Sequence, residues 1–199
     1  DIREHTRQMT IIHSLTSFIG HTSEELEGAY LEMERIAITD GLTGLFNRSE
    51  IERRIKQAIE DYKSSLLQSL PIAIMVDIDD FKVINDTFGH KAGDEVLKSI
   101  SSIFKDCVSK YELEASVGRW GGEEFMILLS ECSIDAARAF AEEMRTRFSE
   151  VGVGGTTRCT ASLGIVQARP DEDPDSFCIR VDNALYSAKA LGKNRVIIG

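Results

Sequence analysis

Two adjacent glycines followed by two adjacent carboxylates, in Trp120-Gly121-Gly122-Glu123-Glu124-Phe125, form the stretch of this chain best suited to chemistry. Paired glycines allow a tight turn at positive φ and leave the backbone bare to a bulky ligand. Two glutamates at such a turn place negative charge where a hairpin more often carries Asn or Asp, a combination suited to a cation and a phosphate. A second acidic run, Asp77-Ile78-Asp79-Asp80, follows five apolar residues, so its first carboxylate stands at the rim of a strand rather than on a loose loop. Asp77 and Glu123 together offer the hard oxygen ligands that Mg2+ takes alongside substrate phosphates.

These residues need a frame. Hydrophobic periodicity predicts a helix from Arg48 to about Lys63 capped by Asn47, a buried strand from Pro71 to Asp77 and a helix from Lys91 to Val108. Strands at Ala115 to Arg119 and Phe125 to Leu129 flank the Gly-Gly turn. A helix at Ile134 to Phe148, a strand at Arg158 to Gln167, a helix at Asp175 to Leu191 and a closing strand at Arg195 to Ile198 complete the order. The fold class is α/β (α+β), with a ferredoxin-like β-α-β-β-α-β core. In that topology the third strand lies between the first and second, so Asp77 and Asp79 come to the same edge as Glu123 and Glu124.

Ahead of this core, residues 1–38 read as an N-terminal helical extension and 39–199 as the domain proper. Ile2, Met9, Ile12, Leu15 and Ile19 give one apolar stripe and Leu26, Tyr30, Met33 and Ile36 another. Gly20-His21-Thr22-Ser23 interrupts them, and Thr22 with Glu25 offers a capping box, so two helices are expected. Such a stripe usually packs on a partner or on its twin. The chain opens on Asp1 in a helical pattern, which reads as part of a longer protein.

With 23 Lys and Arg against 33 Asp and Glu, the net charge is −10, which argues against a surface that tracks a nucleic-acid backbone. Anionic ligands must then be held by a few placed cations or by metal. The four cysteines, at 107, 132, 159 and 178, lie far apart with no C-x-x-C pair, so neither a zinc site nor a disulfide framework is indicated. His5, His13, His21 and His90 are not spaced as metal ligands, and His90 reads as structural. No apolar run approaches a membrane span and no signal-peptide pattern opens the chain, so a cytoplasmic location without direct membrane contact is expected.

Taken together, Gly-Gly-Glu-Glu-Phe, the run Asp77-Ile-Asp-Asp-Phe-Lys-Val-Ile-Asn-Asp-Thr-Phe-Gly-His-Lys-Ala-Gly-Asp94 and the entry loop Asp40-Gly-Leu-Thr-Gly-Leu-Phe-Asn-Arg48 resemble the GGDEF family of diguanylate cyclases, here with a GGEEF form of the motif. The resemblance covers roughly Thr39 to Gly199. It implies a palm-like domain, similar to nucleotide cyclases and polymerase palms, that condenses two GTP into cyclic di-GMP with release of pyrophosphate. It also implies a homodimer, each domain holding one GTP, and an upstream sensor through which a full-length protein could be membrane-anchored.

The same resemblance implies roles by position. Asp77, the Ile78 carbonyl and Glu123 match the family's ligands for Mg2+ or Mn2+, two ions in all, while Glu124 either helps to deprotonate the ribose 3′-hydroxyl or holds the second ion. Lys82 reaches for the terminal phosphates, with Phe81 and Lys82 supplying backbone N–H donors. Lys189 and Lys193, expected at i and i+4 on the last helix, add charge; the family often has Arg where Lys193 stands. Gly121 and Gly122 leave room for GTP. Asn85 and Asp94 match the guanine contacts, because one carboxylate can accept the N1–H and N2–H2 donors that adenine does not pair on that edge. Many members carry an inhibitory Arg-x-x-Asp; here those positions are Glu112 and Ala115, so no inhibitory site is expected.

Overall fold

The computed structural model describes the backbone of residues 2–155 and 157–199 and the side chains of residues 18, 20, 22–155 and 158–199. Two units follow one another along the chain, residues 1–38 and 39–199.

The first is a single helix, α1 (Ile2–Ile38). The expected break at Gly20 to Ser23 does not occur. Thr22, instead of capping a new helix, turns its hydroxyl back to the Phe18 carbonyl four residues earlier at 3.0 Å, so its polar group is satisfied inside a continuous helix. Leu26, Tyr30 and Met33 are exposed. The proposed apolar stripe through Ile2, Met9, Ile12, Leu15 and Ile19 falls on side chains outside the described residues, as do His5, His13 and His21. Among the described residues no helix is long and apolar enough to cross a membrane.

The second unit begins with α2 (Arg48–Lys63), whose first turn is closed by Asn47 accepting from the Glu50 N–H at 3.0 Å. Then come β1 (Ile72–Ile78), α3 (Phe81–Phe88), α4 (His90–Tyr111), β2 (Ala115–Gly121), β3 (Glu124–Leu129) and α5 (Ile134–Phe148). A two-stranded ribbon, β4 (Gly152–Val153) with β5 (Thr157–Arg158), precedes β6 (Ala161–Gln167), α6 (Pro174–Ala190) and β7 (Val196–Ile198). The sheet order is β2-β3-β1-β6-β7. β3 is antiparallel to both β1 and β2, β1 is antiparallel to β6, and β6 runs parallel to β7. This is the ferredoxin-like order with a helix added in front and a helix and strand behind. The sequence reading missed α3 and the β4–β5 ribbon: α3 is one short amphipathic piece after the acidic run, and two-residue strands carry no readable period.

Period-two alternation in β1 decides what each face meets. Ile72, Ile74, Val76 and Ile78 join the core under α3, α4 and α5, whereas Ala73 and Met75 join the core under α2 and α6. In β3, Phe125, Ile127 and Leu129 take the first face and Met126 and Leu128 the second. Asp77 and Glu124 therefore stand on the α2–α6 face of their strands. α6 reaches that face because Gly164 in β6 has no side chain: a Cβ there would sit 2.3 Å from the Leu185 nitrogen and 2.7 Å from the Ala184 carbonyl carbon.

Candidate active site at the ends of the central strands

Antiparallel pairing of β1 with β3 sets Asp77 opposite Glu124, and the Ile78 N–H donates to the Glu123 carbonyl at 3.4 Å. Residues some forty-six apart in the chain thus share one strand edge. The turn that carries them is irregular: the register shifts between Arg119 and Gly121, and Gly122 takes φ 48°, a conformation glycine adopts without steric cost.

Asp77 is 6% exposed. Burial pushes its carboxyl up to about 6; the Lys189 ammonium, 2.7 Å from Oδ2, opposes that shift, and the neighbouring charges of Glu123 and Glu124 add to it. The oxygen donors of Asp77, Glu123, Glu124 and the Ile78 carbonyl are of the hard type that Mg2+ or Mn2+ accepts, and a dication would relieve the mutual repulsion of the carboxylates, so the donor set fits a metal. Among the described residues, no three carboxylate, imidazole or thiolate side chains converge on one point.

The other acidic residues of the run are otherwise engaged. Asp79 is buried and accepts from Thr160 Oγ1 at 2.8 Å, Ser162 Oγ at 2.7 Å and the Asn194 backbone N–H at 3.0 Å. It is a structural tie between β1, β6 and the corner after α6. Asp80, at φ 55°, accepts from Lys193 Nζ at 2.6 Å. Lys193 does not lie on the last helix with Lys189, as the i, i+4 spacing predicts, because α6 ends at Ala190. Gly192, Lys193 and Asn194 follow at φ 112°, 60° and 44°, a left-handed run held by Asp79, by the Lys193–Asp80 pair and by Arg145, which donates to Asn194 Oδ1 at 2.9 Å. The two lysines still come to neighbouring carboxylates, by a route that no helical spacing describes.

Beside this edge lies a cleft of about 530 Å³ lined by Phe81, Lys82, Asn85, Asp94, Gly122 and Glu123, together with Asp86, His90, Leu97 and Arg119. Phe81 and Lys82 open α3, with their N–H groups at the positive end of that helix. Asn85 fits against α4 because Gly93 is bare: a Cβ there would meet Asn85 Oδ1 at 2.0 Å and the Phe81 ring at 3.1 Å. Gly121 lies outside this lining and pairs with Glu124 across the hairpin. His90, read as structural, is exposed at the cleft rim.

Sequence reasoning gave no role to Arg119. Its Nε donates to the Gly122 carbonyl at 2.9 Å, and its NH1 reaches both oxygens of Asp40 at 3.3 and 3.2 Å. Asp40 in turn accepts from the Thr43 N–H and hydroxyl at 2.9 and 2.7 Å. Burial alone would raise the Asp40 carboxyl; Thr43 and then Arg119 outweigh it and hold it below its ordinary value. The entry loop is thus fastened through Arg119 to the carbonyl of the Gly-Gly turn. The nearest signal in the sequence was the Asp-Gly-Leu-Thr spacing, which marks a local Asx turn but not its distant partner.

Comparison with known proteins identifies the family and the fold. The family described as "Diguanylate cyclase, GGDEF domain" matches residues 37–195. The diguanylate cyclase DgcM of Escherichia coli (strain K12) is 37% identical over 184 residues, which is 90% of this chain and 42% of that protein. This chain therefore spans less than half the length of that curated relative. The coiled coil and GGDEF domain of DgcB from Caulobacter crescentus, solved in complex with c-di-GMP, superposes with a TM-score of 0.84 at 27% identity, covering 94% of this chain and 99% of that one. The active GGEEF domain of a diguanylate cyclase from Vibrio cholerae gives a TM-score of 0.69 at 35% identity, covering 76% of this chain and 96% of that one. The mixed helix and sheet fold is the palm-like fold of these solved domains.

Proposed function

The chain belongs to the GGDEF family of diguanylate cyclases, and from that premise we propose that it condenses two GTP into cyclic di-GMP with release of two pyrophosphates. The observation that carries this reading is the juxtaposition of Asp77 and Glu124 on adjacent antiparallel strands, with Glu123 in the turn just before β3, beside a cleft that presents Lys82, Asn85 and Asp94. Carboxylates alone would suit any cation; a phosphate-seeking lysine and a guanine-matching Asn and Asp beside them suit GTP.

Asn85 and Asp94 accept the guanine N1–H and N2–H2 donors and reject adenine, which lacks that pair. The Phe81 and Lys82 N–H groups and the Lys82 ammonium hold the terminal phosphates, with Lys189 and Lys193 adding charge from the far side. Gly121 and Gly122 let the nucleotide lie close to the backbone. Asp77, the Ile78 carbonyl, Glu123 and Glu124 would hold two Mg2+ or Mn2+ ions, which when bound supply Lewis acidity at the attacking 3′-oxygen and the leaving pyrophosphate. Glu124 either accepts the 3′-hydroxyl proton or serves only as a ligand, and Glu124→Gln, which retains an oxygen donor, separates these roles by its pH–rate profile.

One domain holds one GTP, so the second nucleotide comes from a second copy of the chain, brought into register by α1 and set by an upstream sensor. The substrate places the reaction in the cytoplasm. Glu112, at the left-handed C-terminal cap of α4, and Ala115, the first residue of β2, leave no Arg fork or partner carboxylate for product inhibition. Mass analysis of the product formed from GTP and Mg2+ tests the proposal: cyclic di-GMP supports it, and a cyclic mononucleotide or unchanged GTP contradicts it.

A further inference from the structure

Three lysines stand at the site, and they are in different situations. Lys189 Nζ is on Asp77 Oδ2 at 2.7 Å and Lys193 Nζ is on Asp80 Oδ1 at 2.6 Å. Among the described residues none pairs with the Lys82 ammonium. The carboxylates divide in the same way: Asp79 is saturated by three donors, whereas Glu123 and Glu124 have no paired cation among the described residues. Asp77 is the buried member of the metal-ligand set, and its contacting lysine is 36% exposed, so the carboxylate is fixed while the lysine can leave.

We infer that Lys189 is a resident counter-ion: in the nucleotide-free domain its ammonium occupies the Asp77 oxygen that a divalent cation needs, and the triphosphate draws it away, so that metal enters with nucleotide rather than ahead of it. This rests on the reading of the site as a GTP-dependent cyclase site. Three observations support it. The ammonium sits on Asp77 Oδ2 at hydrogen-bond distance, where a metal-ligand oxygen is already satisfied. The carboxylates of the set do not converge on a common point in this arrangement. And Lys82, with its charge unspent, is the group able to capture a phosphate first, after which the added negative charge competes with Asp77 for Lys189. Lys193 on Asp80 is the built-in comparison: it has the same charge and the same kind of pair, on a residue outside the ligand set.

The test is Mn2+ binding by calorimetry and by loss of the free-ion electron paramagnetic resonance signal, on the whole chain, with and without 3′-deoxy-GTP, which binds but has no 3′-hydroxyl with which to attack, each value corrected for the Mn2+ that the nucleotide holds without protein. Wild type should bind bare Mn2+ weakly and much more tightly with the nucleotide. Lys189→Met should bind bare Mn2+ at least about tenfold more tightly than wild type. Lys189→Arg should stay weak, and Lys193→Met should leave bare-metal affinity near wild type. Bare Mn2+ affinity unchanged or weakened in Lys189→Met, or strengthened equally in Lys193→Met, would overturn the inference. If no variant binds Mn2+ even with 3′-deoxy-GTP, the cyclase reading itself fails.

Discussion

Substituting Gly164 by Ala perturbs the site from behind without touching a proposed ligand. The added Cβ would stand 2.3 Å from the Leu185 nitrogen and 2.7 Å from the Ala184 carbonyl carbon, both backbone atoms of α6. Neither can rotate away, so the helix must retreat by about 1 Å to restore ordinary van der Waals separation. Overpacking of this kind costs about 1–3 kcal/mol, a melting-temperature loss of about 2–12 °C for a unit of this size. The displaced helix carries Lys189 one turn beyond Leu185, away from Asp77. A shift of that size at a reacting centre lowers the turnover rate by about 10²-fold. Thermal denaturation and initial-rate pyrophosphate release, measured on the same preparation with GTP and Mg2+, check both halves. A Gly164→Ala protein with wild-type melting temperature and wild-type rate would refute the packing argument and, with it, the claim that α6 sets the position of Lys189.

Three further outcomes follow. Glu50, 6% exposed, is held at about 2 against an ordinary 4.5, first by the Arg53 hydrogen bond and then, against the cost of burial, by Arg54. A lowered carboxylate stabilises the fold above its unfolded value and loses that contribution as pH falls. Glu50→Gln should therefore be less stable by about 1–2 kcal/mol at pH 7, discounted for the exposed Arg53, with the gap closing between pH 5 and 2 in urea titrations. Arg119→Met removes the tie between Asp40 and the Gly122 carbonyl, so GTP turnover should fall by about tenfold or more with only a small change in melting temperature; an unchanged rate would count against Arg119 as the residue that positions the turn. Without the inhibitory pair at 112 and 115, cyclic di-GMP should bind an Asp94→Ala protein no more than negligibly in calorimetry, and tight binding there would reveal a product site elsewhere.

Local chemistry made much of this molecule legible in its sequence. The five apolar residues before Asp77 could only be a buried strand, Asn47 announced α2, and two strands around Gly121-Gly122 dictated a hairpin that brings Glu123 and Glu124 to Asp77. What was not legible depends on contacts across the fold. Arg119 and Asp40 lie far apart in the chain, and nothing in either residue's neighbourhood names the other. Lys193 follows Lys189 at helical spacing, yet the left-handed run at 192–194 exists because Asp79 and Arg145 hold Asn194 from other elements. Gly20 to Ser23 has the composition of a break, but a threonine bonded to its own helix continues it. The pairing of Lys189 with Asp77 required knowing which face of β1 lies under α6, which the alternation gives only once Gly164 is seen to admit the helix.

The central claim is that carboxylates at the ends of β1 and β3 make cyclic di-GMP from GTP. Mass spectrometry of the product from GTP and Mg2+, run in parallel on wild type, Asp77→Ala and Glu123→Ala, tests it most directly. The account predicts cyclic di-GMP from wild type, with two pyrophosphates released per product, and no product from either variant. A cyclic mononucleotide from wild type, or undiminished cyclic di-GMP from either variant, would contradict it.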